Sequence, residues 1–427
     1  MRYLFWVALL IIGSAPLRAQ ETPASPLAEA YERAWRRQPA AHGQAWRQQA
    51  GAAQQVAAGQ WLAAPPSVAL AQRSDHFNRN RGATEREIGL ALPLWLPGER
   101  PAAQAVATGE AAALAGQLAY ERWQLAATLR RAWWAWLLAE QEMGLAESRR
   151  QAASQLADDV GQRVAAGDLA PADEHLAGGV LAVASAAVAE TRQALLDARQ
   201  TVRRLLGHLP PLPAVQPENP LPPGWDAEAA GDGANAPVAA RDDGPVPSWL
   251  GQHPAWRVIE QQAELARQQL ALRRSQDRDR PALTLSTRID QAVRGEAGEQ
   301  TWAIALHLPL SSGVRQQAAL ANANAALIEA SQQLSLQRET LRLSADLALA
   351  QWQAAAQALA AYGERWRLAV RNQADYAKAF RLGNIDLPSR LRAEQEAVEA
   401  ERRLLRARIE QAQRWSDYRQ ALGLLPE

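Results

Sequence analysis

Ile88, Leu90, Leu92 and Leu94 alternate with Gly89, Ala91 and Pro93, and this period of two predicts a strand with one large apolar face and one small face. The alternation breaks at Pro93 and Pro97. Gly98 permits a sharp turn, Arg100 follows, and Pro101 suits the first turn of the alanine-rich helix that comes next. The same junction recurs over residues 305–320, where Pro309, Gly313 and Arg315 occupy the places of Pro93, Gly98 and Arg100, a shift of about 215 residues. Other anchors keep that spacing. Gln38-Pro39-Ala40 matches His253-Pro254-Ala255 and residues 66–70 match 281–285, while at a shift one larger Gly167 pairs with Gly383 and Leu206-Gly207 with Leu422-Gly423. The chain is therefore read as an internal duplication.

Each copy carries two strands. In the first, Val68 and Leu70 alternate with Ser67, Ala69 and Ala71, and a polar stretch over residues 73–82 connects them to the strand that ends at Leu94. In the second, Leu283, Leu285 and Ile289 share one face, and after a polar loop over 291–300 come Trp302, Ile304, Leu306 and Leu308, set against Ala303, Ala305 and His307. The hairpins are expected over 66–95 and 281–309. All four strands pair a large apolar face with a small or polar one, the alternation of a barrel with lipid outside and water inside. An amphipathic sheet over a soluble core shows the same alternation.

Each hairpin leads into a long helical pattern, residues 101–165 and 316–382, which at 1.5 Å per residue reaches about 100 Å if continuous. Each then meets a glycine turn, at 163–173 and 379–389, and a return helix runs back, completing helical hairpins over 101–207 and 316–423. In the second return helix Leu391, Val398, Leu405 and Ala412 repeat every seven residues beside Ala393, Ala400 and Ala407, a pattern that supercoils left-handedly. The helices alone fit a soluble coiled-coil hairpin equally well. The organisation predicted is a first repeat over 20–207, a Pro/Gly-rich linker over 208–250 and a second repeat over 251–427. The linker, with its low-complexity stretch at 231–244, lies across the middle of the structure or is in part disordered. Residues 1–19 combine Arg2, an apolar run from Leu4 to Ile12 and a small-residue exit with Leu17 and Ala19 at plausible cleavage positions, and read as a secretory signal. A single membrane anchor is the alternative, but the apolar run is shorter than the roughly 20 residues a span needs.

Composition sharpens this picture. Three Phe and two Met in 427 residues are poor material for large compact cores, whereas long helices burying a narrow stripe suit a chain rich in Ala, Gln and Arg. A formal net charge of +1 gives no global basic field and no argument for nucleic acid as a partner. The absence of cysteine excludes disulfides, thiolate metal sites and an acylated N-terminal Cys.

No catalytic constellation is found: there is no nucleophile elbow, no phosphate-binding loop and no paired zinc ligands, so no catalytic, cofactor-binding or metal residues are assigned and no cofactor is expected. The six histidines are scattered. His307 on the small strand face is a lumen candidate or simply solvated. Trp133, Trp134 and Trp136 form either an aromatic site or, the better reading, packing between helices.

Four strands cannot close a barrel, and an open edge cannot persist in lipid, so closure in a membrane requires several chains; two would give about eight strands, and three would give twelve and an open lumen. The order helix, hairpin, junction, long helix, glycine turn and return helix, present twice and covering essentially the whole mature chain, resembles the TolC-type outer-membrane efflux protein family. Within it, the junctions and the Gln-Pro and His-Pro helix breaks are most similar to the outer-membrane components of heavy-metal efflux systems. The resemblance implies a mainly α protein with a small β part: a homotrimer with a twelve-stranded barrel in the outer membrane of a Gram-negative bacterium, continued by a periplasmic helical tube. It implies an exit duct that passively conducts substrate, such as heavy-metal cations, from a periplasmic adaptor and an inner-membrane pump of the resistance-nodulation-division type. A duct for type I protein secretion is the alternative within the family; a soluble periplasmic coiled-coil scaffold or adaptor is the alternative outside it. The glycine turns become adaptor-docking tips, with Arg163, Gly167 and Leu169 at the first and Gly383, Ile385 and Leu387 at the second, the apolar side chains exposed. The acidic gate that some members carry after the second turn is replaced here by Ser389 and Arg392.

Overall fold

The computed structural model describes residues 25–78, 80–222, 225, 247–310 and 313–427. The signal segment 1–19 and the low-complexity stretch 231–244 lie outside the described residues. The elements run α1 (Pro26–Arg36), α2 (Pro39–Ala58), β1 (Ser67–Ser74), β2 (Thr84–Pro93), α3 (Glu99–Ala165), α4 (Pro171–Leu206), α5 (Ser248–Gln252), α6 (Pro254–Ser275), β3 (Ala282–Gln291), β4 (Glu299–His307), α7 (Val314–Arg381) and α8 (Leu387–Ala421). The series α1, α2, β1, β2, α3, α4 is repeated by α5, α6, β3, β4, α7, α8.

The strands form one antiparallel sheet in the order β1-β2-β3-β4, which leaves β1 and β4 at its edges. The register joins the two hairpins through β2 and β3, with Leu90 opposite Leu285. The polar loops meet beyond the strands, where the Arg294 N–H donates to the Arg81 carbonyl at 3.1 Å. At the other end the Leu94 N–H donates to the Pro281 carbonyl at 2.8 Å. The sheet is thus fastened at both ends across the two repeats.

α3 and α7 are continuous over 67 and 68 residues, which at 1.5 Å per residue is about 100 Å each. Both begin two residues earlier than their prolines and glutamines suggest. Gly98, at φ 77°, completes the turn itself, so the helix starts immediately after it and Pro101 falls inside the first turn, where its missing N–H costs nothing. Each long helix pairs with its return helix, α3 with α4 and α7 with α8, while α6 packs along both α3 and α7.

The main core lies midway along the helices. Leu27, Tyr31 and Trp35 of α1 pack against Leu129, Trp133, Trp136 and Leu137 of α3, with Val202 and Leu206 of α4 behind them. The Trp133 and Trp136 rings meet edge to face at 5.5 Å. All three tryptophans of this run are buried, so the aromatic cluster is packing between helices. A second core gathers Trp249, Leu250 and Trp256 of the second repeat with Leu341, Ala345 and Tyr418. Here the described part of the linker, residues 208–222, crosses as an extended strap whose Leu221 is buried. No described helix is long and apolar enough to cross a membrane.

Candidate functional site

The sheet has two unlike faces. Residues directly opposite in an antiparallel ladder point the same way, so the register sorts them. Val68, Leu90, Leu285 and Ile304 form one row, and Leu70, Ile88, Thr287 and Trp302 the next. On the opposite face the rows are Ala69, Gly89, Ser286, Ala303 and Ser67, Ala91, Thr284, Ala305. Val68, Leu70, Trp302, Ile304 and Leu306 are exposed, so a broad apolar surface lies uncovered on a single chain. Toward the loops the small face becomes charged. Arg73 and Arg288 meet Glu85 at 2.8 and 3.4 Å, and Arg288 also meets Asp290 at 2.8 Å. His307 lies opposite Ala282 on this same small face and is exposed.

The first junction is held by more than its glycine. Pro93 ends β2 opposite Ala282, Gly98 caps α3, and the Arg100 guanidinium donates to the Gly59 carbonyl at the end of α2. The centre of the junction is Glu99, which is fully buried. It accepts the Leu96 N–H at 3.1 Å, Gln276 Nε2 at 2.8 Å and Arg280 Nε at 2.9 Å. Burial pushes its carboxyl up, but the donors from Arg280, Gln276 and Leu96 outweigh burial and hold it below the usual range. Arg280 also stacks on Trp95, 5.0 Å from the ring centroid. This hub ties the start of α3 to the chain leading into β3. At the second junction Pro309 follows β4 half-buried, Gly313 precedes α7, and Val314 stands where Glu99 stood. The Arg315 side chain lies outside the described residues.

At the far end both glycine turns are left-handed, Gly167 at φ 83° and Gly383 at φ 74°. The Asp168 and Asn384 N–H groups reach back to the Arg163 and Ala379 carbonyls at 2.8 and 3.0 Å, closing both helices with the same six-to-one bond. Neither glycine has a neighbour within 4 Å of a hypothetical Cβ, so their backbone angle alone demands glycine. The tips of the two hairpins come together around Phe380, which is 2% exposed. The guanidinium groups of Arg163 and Arg390 lie over its ring, each 4.9 Å from the centroid.

This corrects the expected tip. Leu387 is 1% exposed and sits in a core with Leu156, Val160, Ala177, Phe380 and Leu391, while Leu169 and Ile385 are half-buried against it. Two neighbouring tips shield each other's apolar side chains, which isolated turns would leave in water. Leu382 of the second turn is exposed, at 66%. Phe380, Arg390 and Leu382 escaped the sequence reading; a lone Phe three residues before a helix-ending glycine was the available signal.

A buried ionic clasp also escaped it. Glu218 of the strap accepts Arg130 Nε and Nη2 at 2.8 and 2.7 Å, takes the Ser416 hydroxyl, and lies 3.4 Å from Arg419 Nε. Arg419 in turn donates to the Asn219 and Pro220 carbonyls at 2.6 and 2.8 Å. The strap is thereby pinned to α3 and α8 together. Among the described residues there is no cluster of three or more His, Asp or Glu side chains that could hold a metal ion.

No protein-family model and no curated protein matches this chain. Solved structures do. CusC superposes with a TM-score of 0.74 at 15% identity, covering 94% of this chain and 93% of its own. The outer membrane protein VceC from Vibrio cholerae gives 0.72 at 16% identity over 94% of this chain and 97% of its own. The MtrE outer membrane channel of Neisseria gonorrhoeae gives 0.70 at 17% identity over 93% and 89%. At this identity the likeness shows the fold, and it spans nearly the whole chain.

Proposed function

We propose that three copies of this chain form the exit duct of a tripartite efflux system in the outer membrane of a Gram-negative bacterium. One observation carries the reading: an antiparallel sheet with an exposed apolar face, a small-residue face and two open edges continues directly into helices of 67 and 68 residues. In lipid such a sheet must close on other copies, because backbone groups at an open edge have no partner there. Twelve strands then enclose a lumen lined by the alanine, glycine and serine face, and the helices continue it through the periplasm. The duct conducts passively. Its structural neighbours include proteins described as outer-membrane channels, which supports a transport role over an enzymatic one.

The tips are the end presented to a periplasmic adaptor and, beyond it, an inner-membrane pump of the resistance-nodulation-division type. In this reading Gly167, Gly383, Leu169 and Ile385 supply the docking surface, and Leu382 joins them. Arg163 and Leu387 shape it from within, one stacked on Phe380 and the other buried beside it.

The test compares the two faces of the sheet. Arg at Leu285 or Ile304 should cost about 2–4 kcal/mol per site near the bilayer centre and deplete the detergent-extracted trimer in the outer-membrane fraction, whereas Arg at Ser286 or Ala303 should leave it assembled. Equal losses on both faces, or a parent chain that is monomeric and soluble without detergent, would overturn the duct.

A further inference from the structure

The duplication gives the chain two copies of one helix seam, and only one of them is filled. The filled seam joins α6 to α3. Gln261 and Gln268, seven residues apart on α6, lay their side chains over Gly116 and Gly109, seven residues apart on α3. A Cβ at either glycine would collide with the facing Gln Oε1, and Leu265 and Val258 crowd the same two glycines. The seam is continuous with the sheet: α6 leads into β3, β2 leads into α3, and β2 pairs with β3.

In the first repeat α2 takes the place of α6. The Pro39–Pro254 anchor converts Gln261, Leu265, Gln268 and Leu272 into Trp46, Ala50, Ala53 and Ala57. These four share one helix face and all are exposed, Trp46 at 74%. α2 meets α3 through another side, where Gly51 approaches Ala111. In the second repeat α7 takes the place of α3. The Gly98–Gly313 anchor converts Gly109 and Gly116 into Asn324 and Ser331, both exposed, with Ile328 between them at 62%. The empty seam is again continuous with the sheet, since α2 leads into β1, β4 leads into α7, and β1 and β4 are the two edge strands.

We propose that the Trp46, Ala50, Ala53, Ala57 stripe of α2 docks on the Asn324–Ser331 face of α7 in a second copy of this chain, repeating between copies the seam that α6 and α3 make within one. The inference rests on the multi-chain duct and specifies its helical contact. The pairs carried over are Trp46 against Ser331 and Ala53 against Asn324. Their sizes complement each other: where Gln268 covers Gly109 inside the chain, Ala53 makes room for Asn324 between chains, and the small Ser331 admits the large Trp46. Each copy offers one α2 stripe and one α7 face, a head-to-tail contact that closes into a ring.

A chain without cysteine makes the test direct. In the full-length protein in outer membranes, Trp46→Cys with Ser331→Cys and Ala53→Cys with Asn324→Cys should each be joined between chains by a short bis-maleimide, giving dimers and trimers on denaturing gels. Gln48→Cys with Ser331→Cys, about half a turn off the stripe, should not. As a second measurement, Ala53→Trp overfills the seam while sitting on the surface of a single chain, and should lower the assembled fraction about tenfold with unchanged helical circular dichroism. A multi-chain assembly in which neither stripe pair crosslinks and Ala53→Trp assembles normally would overturn the seam and leave the duct standing. A chain that stays single in detergent would overturn both.

Discussion

Glu218→Gln keeps the shape of the side chain and removes its charge, which isolates the electrostatic part of the clasp that holds the strap. The side chains of Glu218, Arg130 and Arg419 are 3%, 1% and 0% exposed, so one carboxylate faces two guanidinium groups with almost no water. Breaking a buried pair by removing one partner costs about 3–5 kcal/mol, since the remaining charge stays desolvated and uncompensated. Two features moderate the loss here. Arg419 keeps the strap carbonyls and lies 3.6 Å from Glu427, and Arg130 keeps the Leu424 carbonyl at 2.9 Å and Gln420 Oε1. The expected loss is therefore at the lower end, about 3 kcal/mol. Removing Arg130 as well, in Arg130→Met/Glu218→Gln, takes away one buried cation together with its counter-ion, so the double variant should fall short of the summed single losses by about 1–2 kcal/mol. Urea unfolding of the detergent-solubilised chain, followed by far-ultraviolet circular dichroism, measures the energies. Hydrogen exchange over residues 214–221 and 412–424 shows whether the strap lifts. A Glu218→Gln chain within about 1 kcal/mol of the parent, or strictly additive losses, would refute the clasp as a coupled unit.

His253 is fully buried at the start of α6, with Nδ1 accepting the Ala255 N–H at 3.0 Å and the rings of Trp123 and Trp249 beside it. Burial outweighs the favourable Ala421 carbonyl and lowers its pKa from 6.5 to about 4, so the unfolded chain takes up a proton that the folded chain refuses. Stability should hold above about pH 6.5 and fall by about 3 kcal/mol as pH drops toward 4; urea midpoints against pH should show a flatter profile for His253→Asn, which keeps a capping side chain, and identical slopes would refute the assignment. At the tip, Phe380→Leu keeps an apolar side chain but abolishes both guanidinium contacts, each worth about 0.5–2 kcal/mol. Amide exchange should quicken over residues 163–170 and 380–391 and stay unchanged in the sheet, and unaltered exchange at both tips would show that the stacking does not join them.

Period and punctuation made most of the architecture legible. Strands with one large and one small face need no partner to be recognised, because the alternation of Leu90 with Gly89 and Ala91 is written along the chain. The turns at Gly167 and Gly383 are equally local, since a backbone angle near 80° excludes most other residues whatever lies around it. What stayed hidden was the pairing of residues far apart in sequence. Glu99 and Phe380 each draw a partner from the other repeat, 181 and 217 positions away at Arg280 and Arg163, Glu218 of the linker draws one 201 positions away at Arg419, and in sequence all three look like ordinary surface or helix residues. The same ignorance put Leu387 in water: read alone, an apolar residue at the start of a helix beside a turn is exposed, and only the neighbouring hairpin shows that it is covered. Duplication partly repairs this blindness. Once the structure reveals how α6 meets α3, the repeat spacing transfers that contact to α2 and α7, and exposed residues such as Trp46 and Ile328 acquire a reason for being apolar. Sequence symmetry fixes which surfaces are equivalent, and the filled member of each equivalent pair shows what its unfilled twin is shaped to receive.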